Sequence, residues 1–137
     1  MEPQITQITQ METGEERANL LSNQIIGCSL TVLHTLGIGF LEKVYENALV
    51  YELRKGGLAV SQQHPLKVRY DGMVVGEYFV DLLVERVVLV ELKVAQAIDE
   101  IHRAQCLNYL KASGLYLCLL LNFGRPRLEI KRIVLTL

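Results

Sequence analysis

The sequence predicts a mixed α/β (α+β) domain, a central mixed β-sheet of about five to six strands flanked by helices. Three observations predict it. Apolar residues recur at three and four along the first part of the chain, and the period becomes two from residue 58 to 94. A further helical stretch then separates two very apolar strands.

In chain order, residues 1–12 read as a flexible tail, and 13–137 as a single domain with enough apolar residues for one core. Thr13 and Glu16 have capping-box spacing ahead of "RANLLSNQIIGCSLTVLHTLG", which predicts a first helix stopping at Gly37. "FLEKVYENALVYELRKGG" repeats the helical pattern, with Phe40, Leu41, Val44, Tyr45, Ala48 and Leu49 on one stripe and a double-glycine stop. Period-two segments follow: "LAVSQQ", "LKVRY", a tight turn at Asp71-Gly72, "MVVGEYFVDLLV", a short loop at Glu85-Arg86, and "VVLVELKV". A third helix is expected over about 98–113, ending at Gly114. "LYLCLLLNF" and "LEIKRIVLTL" supply the last strands around a Gly-Arg-Pro turn.

Fourteen basic and fifteen acidic residues give a net charge of −1, so any basic footprint has to be local. Three scattered cysteines, Cys28, Cys106 and Cys118, suggest neither a disulfide framework nor a zinc site, and fit buried thiols in a reducing cytoplasm. The first fourteen residues are polar and lack the apolar region of a secretory leader. No later apolar stretch is long enough for a membrane span, so a cytoplasmic protein without membrane contact is expected.

The strand "VVLVELKV" carries Glu91 and Lys93, two apart and therefore on one face. If the preceding loop is residues 85–87, Val84 pairs with Val88 and Asp81 stands opposite Glu91. Opposed residues have Cβ atoms roughly 4.5–5.5 Å apart, so two carboxylates would repel unless a cation bridged them. Mg²⁺ suits a site of one or two carboxylates plus water and phosphate oxygens. A two-residue loop would put Asp81 on the other face. The plain alternative is that Lys93 neutralises one carboxylate as a partly buried salt bridge.

Asp81, Glu91 and Lys93 form a D-x9-E-x-K pattern that resembles the PD-(D/E)XK nuclease superfamily. "GFLEKVY" at 39–45 resembles the signature of the prokaryotic GxxExxY proteins, and the likeness continues through "GEYFVDLLV", "VELK", "AQCLNYLKASG" and "LLLNFG". The family pattern usually has an acidic residue in the first helix where this chain has Leu33, and a proline where it has Ile38.

The resemblance implies a restriction-endonuclease-like core and a metal-dependent nuclease that cuts phosphodiester bonds in DNA without strong sequence specificity. Asp81, Glu91 and the carbonyl of Leu92 would hold Mg²⁺ or Mn²⁺, with Lys93 orienting water or stabilising the phosphorane. Glu42, at the edge of the second helix's apolar stripe, would supplement the metal shell; Glu52 competes for that role. Tyr45 reads as core packing with a tethered hydroxyl. "QCLNY" resembles a Gln-x-x-x-Tyr element whose Gln105 would hold Lys93 or a phosphate, with His102 on the same helix face. Backbone grip would come from Arg54, Lys55, Lys67, Arg69, Arg125, Arg127, Lys131 and Arg132. Two other readings stay open: an inactive nucleic-acid- or protein-binding module on the same fold, and a structural homodimer pairing through the apolar C-terminal strand.

Overall fold

The computed structural model describes residues 2–135, with side chains from Gly14 onward. Its elements are α1 (Glu2–Leu36), α2 (Glu42–Lys55), β1 (Val60–Tyr70), β2 (Met73–Val84), β3 (Val88–Lys93), α3 (Glu100–Ser113), β4 (Leu117–Asn122) and β5 (Glu129–Val134). The strands form one five-stranded sheet in the order β1-β2-β3-β4-β5. It is mixed: β3 and β4 are parallel and the other neighbours antiparallel, so α3 is the crossover that parallel strands require. No described helix is long and apolar enough to cross a membrane.

Two differences from the expected elements concern helix starts. The α1 backbone runs through Thr13 without a break, so the helix does not begin at the expected capping box; the side chains of residues 1–13, and so the Thr13 cap itself, lie outside the described residues. In α2 the buried stripe is Tyr45, Leu49, Val50 and Leu53, together with Glu46, while Phe40, Leu41 and Val44 face solvent. Leu41 is the residue before the helix and caps nothing with its side chain, so helical periodicity does not constrain where it points.

The sheet is covered on both faces. Beneath α1 and α2, Ala18, Leu21, Ile25, Tyr45, Leu49 and Leu53 pack on Leu82, Val84, Val88, Val90, Leu92 and the matching residues of β4. Beneath α3, Cys106, Tyr109 and Leu110 pack on Leu66, Val80, Leu83, Leu89, Cys118, Leu120 and Ile133. All three cysteines are free thiols, and Cys106 and Cys118 are buried.

Turns set the register. Asp71 and Gly72 both have positive φ, as a tight primed hairpin turn requires. Glu85 and Arg86 also sit at φ +52 and +56, a conformation that costs a side-chain-bearing residue some strain. Contacts to its neighbours hold the turn. Glu85 exchanges two hydrogen bonds with Ala59 and accepts one from Arg17 at 3.1 Å. The loop is three residues long, Val84 pairs with Val88, and the ladder proceeds through Leu83–Leu89 to Leu82–Val90.

Candidate active site

One step beyond Leu82–Val90, the β2–β3 ladder changes character. Side chains replace the backbone partners: Asp81 N–H donates to Glu91 Oε1 at 3.0 Å, and Leu92 N–H donates to Asp81 Oδ2 at 2.8 Å. Each carboxylate is thus held by the opposite strand, and both side chains lie on the face covered by α3. Lys93 Nζ stands 3.8 Å from Glu91 Oε2. Asp81 and Glu91 are only 8% and 5% exposed, which places two carboxyl groups side by side almost out of water.

That environment disfavours both charges. Burial first, and then the charge of Asp81, pushes Glu91 up to about 8, while its hydrogen bond from Asp81 N–H and the nearby Lys93 ammonium act the other way. Asp81 is also raised, chiefly by burial, against the hydrogen bonds it accepts from Leu92 and Gln63.

The α2 helix supplies the acidic rim. Glu42, half-buried, has its pKa raised first by burial and then by Asp81, and it also feels Lys93, which puts it in electrostatic reach of both. Glu46, one turn further on, is 1% exposed; it receives hydrogen bonds from Gln62 at 2.6 Å and Gln63 at 3.1 Å, and pairs with Lys43 at 2.9 Å. Glu52 points elsewhere: it pairs with Lys55 at 2.8 Å and lies against α1 near Cys28. Geometry therefore separates Glu42 from its competitor.

Sequence reasoning passed over Glu46 and Gln63. Gln63 sits at φ +52 and is skipped, with Asp81, in the β1–β2 pairing, which runs Gln62–Leu82 and then His64–Val80. This irregularity lets one amide donate both to Glu46 and to Asp81 Oδ1 at 3.1 Å. A strained backbone at a site is where such irregularities cluster. Two signals were present: Glu46 is four residues after Glu42, on the same helical face, and a polar Gln-Gln pair interrupts a strand.

The glycine–tyrosine motif divides its labour. Tyr45 Oη donates to Gly37 O at 2.6 Å and accepts from Phe40 N–H at 3.2 Å, while its ring stacks on Phe123 at 5.1 Å. Gly37 and Gly39, at φ +73 and +108, make the turn that this hydroxyl ties down. Tyr45 therefore fixes the α1–α2 corner from the core side and so sets where Glu42 stands. Leu33 is buried in the core, so α1 contributes no acid at that position, and Ile38 is exposed in the turn.

Across the site stands α3. Gln105 donates to Tyr109 Oη at 2.7 Å, and no described hydrogen bond joins it to Lys93. Tyr109 is 3% exposed, and its hydroxyl is pushed well above the usual tyrosine range by burial and then by Glu91 and Asp81. His102 caps the helix: its N–H bonds Asp99 Oδ1 and its Nδ1 accepts from Asp99 N–H. It belongs to the helix start. Behind Lys93, buried Asn122 clasps Ala95 through both its amide atoms, and Gly124 lies so close that a Cβ there would collide with the Ala95 backbone.

Several expected basic residues have structural partners. Arg54 donates to Val60 O, Lys55 pairs with Glu52, and Arg132 bonds Ser22 and Asn19 of α1. Arg125 and Arg127 are exposed in the β4–β5 connection, and Lys131 is half-buried on β5. Lys67 and Arg69 line a cleft against α3.

Among the described residues, no group of three or more His, Cys, Asp and Glu side chains is arranged to hold a metal ion. The available donors are two carboxylates and a carbonyl. A residue in an extended strand presents its N–H and C=O toward the same neighbour, so Leu92, whose N–H meets Asp81, offers its carbonyl on that side too. Hard oxygen donors suit Mg²⁺ or Mn²⁺ rather than a softer metal.

Fold and site together define a nuclease-like α/β protein, and comparison with known proteins gives the family. The model of the PD-(D/E)XK nuclease superfamily matches residues 19–133, and the chain belongs to that superfamily. The solved structure "Crystal structure of SSO0001" is similar, with a TM-score of 0.52 and 14% identity over 69% of this chain and 50% of that one. At that identity the likeness concerns the fold, and this chain spans about half the length of that protein. No curated protein matches.

Proposed function

We propose that this chain is a divalent-cation-dependent nuclease of the GxxExxY group that hydrolyses phosphodiester bonds in DNA without strong sequence specificity. One observation carries the reading: two nearly dry carboxylates, Asp81 and Glu91, each fixed by a backbone N–H of the opposite strand, with Lys93 beside them. Such a pair destabilises an isolated protein, and a cation relieves it. Members of the superfamily generally use Mg²⁺ or Mn²⁺. Asp81, Glu91 and the Leu92 carbonyl would hold the ion, with Glu42 and Glu46 as outer acids that orient water.

When bound, the cation supplies Lewis acidity toward the phosphate and makes water acidic enough to attack at neutral pH. Lys93 holds a positive charge where negative charge grows on the phosphorane, and its partly buried position strengthens that effect. Gln63 keeps Asp81 in one orientation by bonding Oδ1 while Leu92 bonds Oδ2. Gln105 steadies the Tyr109 hydroxyl at the opposite wall.

The test is cleavage of labelled DNA and RNA structures with EDTA, Mg²⁺ or Mn²⁺. Cleavage should require the cation, and Lys93→Ala should lower turnover by roughly 10²–10³ with little change in nucleic-acid affinity. Full activity in Lys93→Ala would make Lys93 a plain counter-ion. Binding without cleavage under every cation would favour the inactive scaffold.

A further inference from the structure

Among the described residues, a group of positive charges without ion pairs lies away from the carboxylates, between β1 and the C-terminal half of α3. A cleft of about 410 Å³ there is lined by Lys67, Arg69, Tyr78, Asn108 and Lys111. A second, of about 320 Å³, shares Lys67 and Arg69 with it and adds His64 and Arg86. The two clefts share Lys67, Arg69 and Ala112, and together they are treated as one basic channel. Every fully charged residue lining it is a cation, and none of Lys67, Arg69, Arg86 and Lys111 makes an ion pair among the described residues. Glu77 stands across from Lys67 in the β1–β2 ladder but does not line the channel. Lys55, Arg54 and Arg132 contrast with these, because Lys55 is already neutralised and the two arginines are already bonded.

Tyr78 joins this channel to the candidate active site. Its ring is about half exposed and lies 6.0 Å from the Tyr109 ring, which borders the carboxylates. Asp81 is three residues further along β2, about 10 Å at the usual strand rise. An exposed aromatic face beside free cations suits an unpaired base attached to phosphates, whereas a duplex keeps its base faces within the stack.

We propose that this channel binds a single-stranded arm of nucleic acid, with phosphates on Lys67, Arg69, Arg86 and Lys111 and a base on Tyr78, and leads it to the Asp81–Glu91 site. The identity of the polymer rests on the nuclease reading; the channel's shape and charge do not.

The test uses the full chain in EDTA, where nothing is cut, and follows fluorescence anisotropy over a range of salt with three probes: a 12-nucleotide oligo-dT, a blunt duplex and a polyglutamate peptide. Oligo-dT should bind most tightly. Combining Lys67→Ala, Arg69→Ala and Lys111→Ala should reduce the slope of log affinity against log salt by about two. Tyr78→Ala should weaken binding about fivefold or more while Tyr78→Phe keeps it. All three cations are exposed, so the triple variant should stay folded, as circular dichroism will show. An unchanged salt slope in the folded triple variant overturns the channel. So does a duplex or polyglutamate that binds as well as oligo-dT, or the absence of any binding. Cleavage separates the two ideas: a wild type that cuts while the triple variant binds normally sinks the channel alone. A wild type that never cuts but loses oligo-dT with the channel mutations sinks the nuclease reading alone.

Discussion

Leu82, Val90 and Leu92 lie on one face of the β2–β3 pair, packed beneath α1 and α2, whereas Asp81, Glu91 and Lys93 occupy the next positions along the same strands on the face under α3. One backbone ladder serves both. Burying a leucine contributes about 1.5–3 kcal/mol, and two unit charges about 5 Å apart repel by roughly 3 kcal/mol at an effective dielectric near 20. The apolar face is therefore what lets the charged face exist. Strands held this firmly keep two carboxylates together that would otherwise move apart.

The largest break in this comparison comes from the apolar side. Leu82→Ala removes a fully buried side chain next to Asp81 and leaves a cavity under α2, so it should cost roughly 2–5 kcal/mol in chemical denaturation. An isosteric change on the charged side should do the opposite. Glu91→Gln keeps an oxygen for Asp81 N–H but removes the repulsion, and should stabilise the cation-free protein by about 1–4 kcal/mol near pH 8.

The same residue predicts a pH dependence with a definite sign. Below the usual glutamate pKa, near 4.5, folded and unfolded chains both carry the Glu91 proton and the penalty is absent. Between there and about 8 the unfolded chain releases it while the folded chain keeps it, so stability falls as pH rises and levels off above about 8. Melting curves in EDTA should show this decline, and Glu91→Gln should flatten it. A stability that rises with pH through this window would mean that Glu91 is ionised and well solvated in the folded protein.

The sequence made one of the two faces more legible than the other. Apolar runs and alternation carry the strands, but they left two lengths open for the β2–β3 loop; the observed pairing of Val84 with Val88 is the alternative that sets Asp81 opposite Glu91. What stayed hidden depends on tertiary contacts. Glu46 meets Gln62 and Gln63 from another element, and Gln63 reaches Asp81 only through an irregularity that the polar Gln-Gln pair hints at without saying which neighbours it joins. The positive φ of Glu85 and Arg86 is equally invisible, being held by Ala59 and Arg17. Gln105 was read toward Lys93 or a phosphate because spacing gives a helix face, not which neighbour a flexible amide chooses; its amide bonds Tyr109.

Gln63 offers a way to sharpen the charged side without touching a carboxylate. Gln63→Gly relieves the positive φ but takes a donor from buried Glu46 and Asp81, so the two effects oppose and stability should change by no more than about 1–3 kcal/mol, while the donor that orients Asp81 toward the site is lost. Residues in that position typically influence metal affinity by 10–100-fold. Mn²⁺ titration calorimetry should register such a loss in Gln63→Gly. Unchanged affinity would show that Leu92 N–H alone suffices to hold Asp81.

The smallest effect is expected where the two faces meet in one motif. Glu42 and Tyr45 are three residues apart, but the first faces the carboxylates and the second sits in the core with its hydroxyl on Gly37 and Phe40. Tyr45→Phe keeps the stacking on Phe123 and removes only the tether. Because the turn is exposed at Ile38 and Phe40, water can replace the hydroxyl, and the loss should be about 0.5–1.5 kcal/mol. Cation affinity should stay within about twofold, since the α2 backbone that carries Glu42 remains pinned by Leu49 and Leu53. Calorimetric titration of Mn²⁺ beside thermal melting measures both quantities. A large fall in affinity with little change in melting would move Tyr45 from the corner into the site, and the division between the two faces would then run through the motif differently.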